Sequence, residues 1–242
     1  MATRYIKLFE TETQYNAFRS GATYVEPHGS GIVETRAAHY SQLSNDEVQE
    51  YTPCQYIQNT SDSYINTGVK GDGSQRIECV FMPITKNTGW NCVYGARNNP
   101  GVNDNIYIYS NNDSKKYAKQ GYVGYYNTTN NSLTVASPSL NVKHTFIQNR
   151  GTFTLDGATV KTYTNATFTS TANTFIFDGS NNNTRGNYKG LFRLYSFKMY
   201  INNILVRDFI PVKRNSDNKF GLYDLVNRTY YTSASSNAFA GA

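Results

Sequence analysis

The sequence predicts a mostly β protein, an antiparallel two-sheet sandwich preceded by a small α+β module, and three observations carry that prediction. From about residue 52 onward, runs rich in Tyr, Phe, Ile, Val and Thr alternate at period two between Asn, Gly, Ser and Asp clusters. No stretch of 12 residues beyond that point keeps a 3.6 period, and the high Asn and Thr content opposes helix. The first 40 or so residues read differently, with one helix signal between short strands.

The opening Arg4-Tyr5-Ile6-Lys7-Leu8-Phe9 alternates as a short strand. Thr11 with Gln14 resembles a capping box, Tyr15 and Phe18 share a helical face, and Gly21 stands where that helix would stop. Ala22-Thr23-Tyr24-Val25 and Ile32-Val33-Glu34-Thr35 then read as strands around the turn Pro27-His28-Gly29-Ser30-Gly31. A β-α-β-β piece of about 40 residues rarely folds without a partner. It is therefore expected to dock, through Tyr5, Ile6, Leu8, Phe9, Tyr15 and Phe18. Ser41 to Glu47 is polar and reads as a linker or one helical turn, which puts the units at residues 1–48 and 49–242.

In the larger unit the strand candidates are Tyr64 to Thr67, Arg76 to Phe81, Ile106 to Tyr109, His144 to Gln148 and Thr152 to Leu155. Asp156-Gly157 is a two-residue hairpin signal. The Asn patches at 111–112, 130–131 and 181–183 read first as turn formers, because Asn tolerates positive φ.

Composition narrows the function classes. The chain has 242 residues, 14% of them aromatic, too many for a disordered chain, and no apolar run nears the roughly 20 residues of a membrane span. Its start lacks a secretory signal pattern, so no Sec export is expected. Lys and Arg exceed Asp and Glu by 23 to 17; the first 50 residues carry a net −3, leaving +9 to the remainder. That reversal suggests two units with different partners. The basic residues are scattered rather than clustered beside stacked aromatics, which argues against nucleic-acid binding. Cys54, Cys79 and Cys92 fit no metal spacing and are expected to be reduced and buried.

A series of motifs in order then stands out: Tyr56-Ile57-Gln58-Asn59-Thr60, Tyr64-Ile65-Asn66-Thr67-Gly68-Val69, Tyr94-Gly95-Ala96-Arg97, Phe175-Ile176-Phe177, the run Arg193 to Tyr200, the run Leu205 to Val212, and Gly221 to Asn227 with Tyr231-Thr232. Over about 190 residues the series resembles the laminin-G-like, concanavalin A-like jelly-roll domain of bacteriophage virion proteins and gut-bacterial surface proteins. The resemblance implies two curved antiparallel sheets face to face and leaves the ligand open. More weakly, the first unit resembles an N-terminal module of crAss-like phage structural proteins. Pro27-His28-Gly29-Ser30 and Ala38-His39-Tyr40 match its pattern with the Val positions substituted.

The chemistry expected is recognition. No run of alternating carboxylates suits a glycan hydrolase; Glu78 is the lone acid of its strand, and Asp72, Asp156 and Asp178 read as turn residues. His28, His39 and His144 stand in no triad context, and His144 reads as a half-exposed strand opener. Trp90, Tyr122, Tyr125 and Tyr126, each near Asn residues in the chain, together with Asn181, Asn182 and Arg185, are the candidate ligand contacts, since flat rings next to amides suit pyranose faces. Asp178 in its Asn-rich loop is a calcium candidate. These readings point to a non-enzymatic virion protein, a head fibre or a tail-fibre/decoration protein, assembled in the host cytoplasm and oligomeric, with a trimer favoured. Its partners would be other virion proteins and a host-surface or gut glycan. A bacterial carbohydrate-binding surface protein and, behind it, a glycan hydrolase are the alternatives.

Overall fold

The computed structural model describes residues 43–85, 90–98, 102–110, 121–125, 132–133, 138–162, 168–186 and 190–242. Within these, only the backbone is described for residues 45, 90, 97–98, 102–110, 121–125, 132–133 and 160–161. The expected N-terminal module, with Tyr5, Ile6, Leu8, Phe9, Tyr15 and Phe18, lies outside the described residues.

Chain order begins with helix α1 (Asn45–Glu50), β1 (Tyr51–Pro53), β2 (Ile57–Gln58), β3 (Ile65–Asp72), β4 (Arg76–Pro83), β5 (Trp90–Asn98) and β6 (Val102–Ser110). It continues through β7 (Gly121–Tyr125), β8 (Ser132–Leu133), β9 (His144–Asn149), β10 (Thr152–Leu155), β11 (Ala158–Thr162), β12 (Thr169–Ile176) and β13 (Gly179–Asn181). The last elements are β14 (Thr184–Arg185), β15 (Phe192–Ile201), β16 (Ile204–Arg214), β17 (Phe220–Asp224), β18 (Thr229–Tyr231) and β19 (Ala240–Gly241). The first sheet runs β11-β10-β9-β4-β15-β16-β17-β18, with β1 on β16, β2 on β15 and β19 on β2. The second runs β14-β13-β5-β6-β7-β8, with β12 on β5 and β3 on β12. Among the described residues every strand pairing is antiparallel except β13 with β5. The expected antiparallel two-sheet sandwich is the fold, and no helix among the described residues is long and apolar enough to cross a membrane.

Period-two alternation builds the core. Ile77, Cys79 and Phe81 of β4, Phe146 of β9, Phe153 of β10, and Phe192, Leu194, Phe197 and Met199 of β15 meet Val93, Tyr94 and Ile176 of the second sheet in one cluster. Along β15 the alternation would fail between Leu194 and Phe197. A bulge repairs it: Leu194 pairs with Phe81 and Ser196 with Val80, so Tyr195 is the extra residue. All three cysteines are free and buried, as expected.

Turn chemistry sets the register. Asp156 and Gly157 (φ +51° and +80°), Asn182 and Asn183 (φ +51° and +64°) and Asn202 and Asn203 (φ +51° and +63°) each form a two-residue hairpin with positive φ at both positions. That is the turn whose twist matches paired strands, and it selects Asn, Asp and Gly. The Asn patch at 181–183 is thus a turn former first.

On the outer face of the first sheet lies a second, smaller core. Phe209 and Leu222 point into the main cluster, so their neighbours Ile210, Val212 and Tyr223 point out, where Leu43, Val48 and Tyr51 cover them. A helix of six residues has little stability of its own, so α1 is held by this packing and by its cap. Ser44 Oγ accepts from Glu47 N (3.3 Å) and Glu47 Oε2 accepts from Ser44 N (2.6 Å). The Tyr223 hydroxyl donates to Glu47 Oε1, and Arg228 Nη1 stands 3.1 Å from Oε2. Residues 43–50, polar on paper, are therefore a latch on the sandwich.

Two outcomes follow from this packing. A Cβ on Gly221 would meet the Tyr231 carbonyl oxygen at 2.3 Å and the Tyr230 ring at 2.7 Å, so Gly221→Ala should lose about 1–3 kcal/mol in urea unfolding. Burial would raise the Glu47 carboxyl, but the Ser44 amide, the Tyr223 and Ser44 hydroxyls and Arg228 outweigh it and hold it below its ordinary 4.5. Its contribution is therefore complete above that value and fades as pH falls through the depressed one. The stability gap between the native chain and Glu47→Gln, read from urea midpoints, should be full at neutral pH and narrow below about pH 4.

Candidate functional site

The second sheet carries most of the candidate contacts, and a chain reversal at Phe177 positions them. β12 ends with Ile176 opposite Tyr94; Phe177 then adopts φ +70°, and β13 returns parallel to β5 with Gly179 opposite Gly95 and Asn181 opposite Arg97. A bulky residue at positive φ is strained. The strain is held by the bond from Phe177 N to Val93 O (2.8 Å) and by a ring packed 5.3 Å from that of Phe239.

The reversal buries Asp178 to 1% exposure. Its Oδ1 accepts from Gly179 N (2.7 Å) and its Oδ2 lies 2.6 Å from Arg185 Nε. Arg185 extends its Nη2 to within 2.7 Å of Asp62 Oδ1. One guanidinium thus bridges two carboxylates, which counter the effect of its burial and keep it charged. Asn183 ties the hairpin down, its Oδ1 accepting from Asn173 N (2.7 Å) and its Nδ2 donating to Thr171 O (3.4 Å). Asn182 is exposed at the tip and Asn181 is half-buried. The result is a polar corner with Asn182 at its exposed tip and its charges neutralised inward.

The aromatic candidates do not all converge there. Trp90 opens β5, seven residues before Arg97, roughly 23 Å along the strand from the register of Asn181. Tyr122 pairs with Ile108, toward that same far end. Tyr125 pairs with Asn105, which pairs with Ala96, itself opposite Ser180, so its backbone shares the hairpin's row three strand spacings away, about 14 Å. Tyr126 lies outside the described residues, as do His28 and His39.

Asp178 as a cation ligand meets a plain geometric condition: an ion there would have to displace the Arg185 guanidinium. Among the described residues no group of three or more His, Cys, Asp or Glu is placed to hold a metal. The half-exposed reading of His144 is corrected, since it is 6% exposed. Its Nδ1 is 2.6 Å from Asp156 Oδ2 and its Nε2 is 3.1 Å from Ser139 O, which fastens the β10–β11 turn to the start of β9. Glu78 faces outward beside Arg76 and opposite Lys198. Asp208 takes Lys198 at 3.2 Å, and the side chain of Arg97 is outside the description. Sequence reasoning missed Asp62, which stands in an ordinary Ser/Thr turn whose partner is remote in the chain.

Arg185→Gln would leave Asp178 buried without its cation, and removing one partner of a buried pair costs about 3–5 kcal/mol. Thermal unfolding should show that loss, whereas Asn182→Ala at the exposed tip should stay within about 1 kcal/mol.

No protein-family model and no curated protein matches the chain. Among solved structures, β-agarase A from Zobellia galactanivorans is similar at 12% identity and a TM-score of 0.36, over 62% of this chain and 72% of that one.

Proposed function

We propose that the chain is a non-enzymatic structural protein of a bacteriophage virion, a head fibre or a tail-fibre/decoration protein, whose sandwich is an adhesive head for host-surface or gut glycans. The observation that carries this reading is where the carboxylates go. Glu47 caps α1 and takes Tyr223; Asp72 takes Ser74; Glu78 takes Arg76; Asp156 takes His144; Asp178 takes Arg185; Asp208 takes Lys198; Asp217 takes Arg214; Asp224 takes Arg207. Glycoside hydrolysis needs two acids facing one cleft, one free to give a proton and the other to attack or activate water. These acids hold strands and turns together.

Two further features support an adhesive head on a stalk. Residues 43–50 seat α1 on a strip of the first sheet's outer face over β16 and β17. The Asn181 to Arg185 hairpin belongs to the other sheet. The ordered sequence motifs, by their resemblance to those of phage virion proteins, support the viral context. Assembly as a trimer would let weak single sites act together.

Labelling native particles with antibody against this chain, together with binding of the full chain to host capsular polysaccharide, tests the proposal. Expected are decorated particles, retained polysaccharide and no release of reducing ends. Particles without the chain, or release of reducing ends that Glu78→Ala abolishes, would overturn it.

A further inference from the structure

The strip of the first sheet's outer face beside the one α1 covers holds two cations drawn together with no carboxylate partner among the described residues. Arg193 lies between the core residues Phe192 and Leu194 on β15 and so points outward, as does Tyr56 just ahead of the core residue Ile57. The Arg193 guanidinium stacks over the Tyr56 ring with Cζ 4.3 Å from the centroid, and Nε donates to Gln58 Oε1 (3.0 Å). Tyr195, the bulge residue, donates its hydroxyl to Met82 Sδ (3.8 Å). Lys143, from the loop before β9, places Nζ 4.2 Å from the centroid of the Tyr195 ring. The two rings are 5.7 Å apart. Tyr195 is 4% exposed and packs as the floor, while Lys143 is exposed and Arg193 half-buried.

The other cations on this face are neutralised locally: Arg76 by Glu78, Lys198 by Asp208, Arg214 by Asp217. No described carboxylate comes within ion-pair distance of Lys143 or Arg193. Bringing like charges onto neighbouring rings raises the local potential, and a ligand anion there recovers that cost. The rings fix both cations in place, so little side-chain freedom is lost on binding. Both ring faces are occupied by cations, so what this shelf offers a ligand is positive charge in a fixed geometry.

We infer that the Tyr56, Arg193, Tyr195 and Lys143 shelf is a binding site for an acidic polysaccharide, engaging its carboxylate or sulfate groups. The inference rests on the adhesive-head reading and names the chemistry of its ligand. Arg193 is the group suited to a bidentate contact, and Lys143 acts as a point charge.

The test uses the full chain on immobilised polygalacturonate, dextran sulfate and neutral dextran. Retention on one of the two charged polymers, absent on dextran, is expected, and the pair of charged polymers tells carboxylate from sulfate. Lys143→Gln with Arg193→Gln should weaken it by about tenfold or more and flatten its dependence on log salt by about one unit per charge removed. Arg193→Lys should restore part of the affinity, and Lys70→Gln with Lys213→Gln should stay within about twofold. An unchanged melting temperature in the double variant shows that the site and not the fold was altered. Equal binding by the double variant, or equal capture of single-stranded polynucleotide at the same site, overturns the inference. Retention on neutral dextran that the double variant preserves also overturns it, while leaving the adhesive head standing. Failure on all three polymers removes the shelf as well, and adhesion is then decided separately on whole host polysaccharide.

Discussion

The two sheets are clamped by Arg207. From β16 of the first sheet its Nε donates to Thr67 O of β3 in the second (3.0 Å) and lies 3.5 Å from Asp224 Oδ2. Asp224 is fully buried at the end of β17. Its Oδ1 accepts from Asp208 N (3.0 Å) and Val226 N (3.1 Å), so one carboxylate joins β16 to β17 and opens the turn to β18. A buried pair of this kind adds little against an apolar replacement, yet losing one partner is expensive because the other stays charged and dry. The clamp therefore specifies how the closing strands meet more than it adds to their stability.

That constraint accounts for the make-up of the two closing segments. Leu205 to Val212 contains Arg207, Asp208 and Phe209, and Gly221 to Asn227 contains Leu222 and Asp224. Phe209 and Leu222 sit in the main core, and the charged three form the clamp and its neighbouring pair with Lys198. Residues so occupied hold the fold and leave no group for a ligand. Function has to be sought on what those strands present, the hairpin corner and the outer face.

Much of the sandwich was legible because its signals are local. Alternation along β4 and β9 and the Asp156-Gly157 turn each depend on residues a few positions apart, and the buried cysteines follow from residue type. What stayed hidden depends on distant partners. Leu43 and Val48 look like isolated apolar residues in a polar run until Ile210, Val212 and Tyr223 are seen beneath them. Asp62 and Arg185 meet only because β13 turns back along β5, and no local pattern announces a parallel strand three residues long. His144 reads as half-exposed from its own segment and is buried because Asp156 and the Ser139 carbonyl close over it. The Tyr195 bulge left a trace, two apolar pairs out of phase along one strand, which the alternation alone could have flagged.

The Phe177 reversal and the Tyr195 bulge have a common consequence for recognition. Each breaks a regular pattern, one by placing an aromatic residue at positive φ and the other by adding a residue to β15, and each is held by core contacts on its inner side. The first fixes the Asp178 to Arg185 corner and the second fixes the ring on which Lys143 rests. Side chains mounted on such anchored irregularities have little freedom left to lose, so a weak, polar, solvent-facing contact retains more of its interaction free energy than the same groups on a free loop. On the adhesive-head proposal, a surface with few contacts per head gains most from this anchoring, because repetition across an assembly multiplies whatever each site retains.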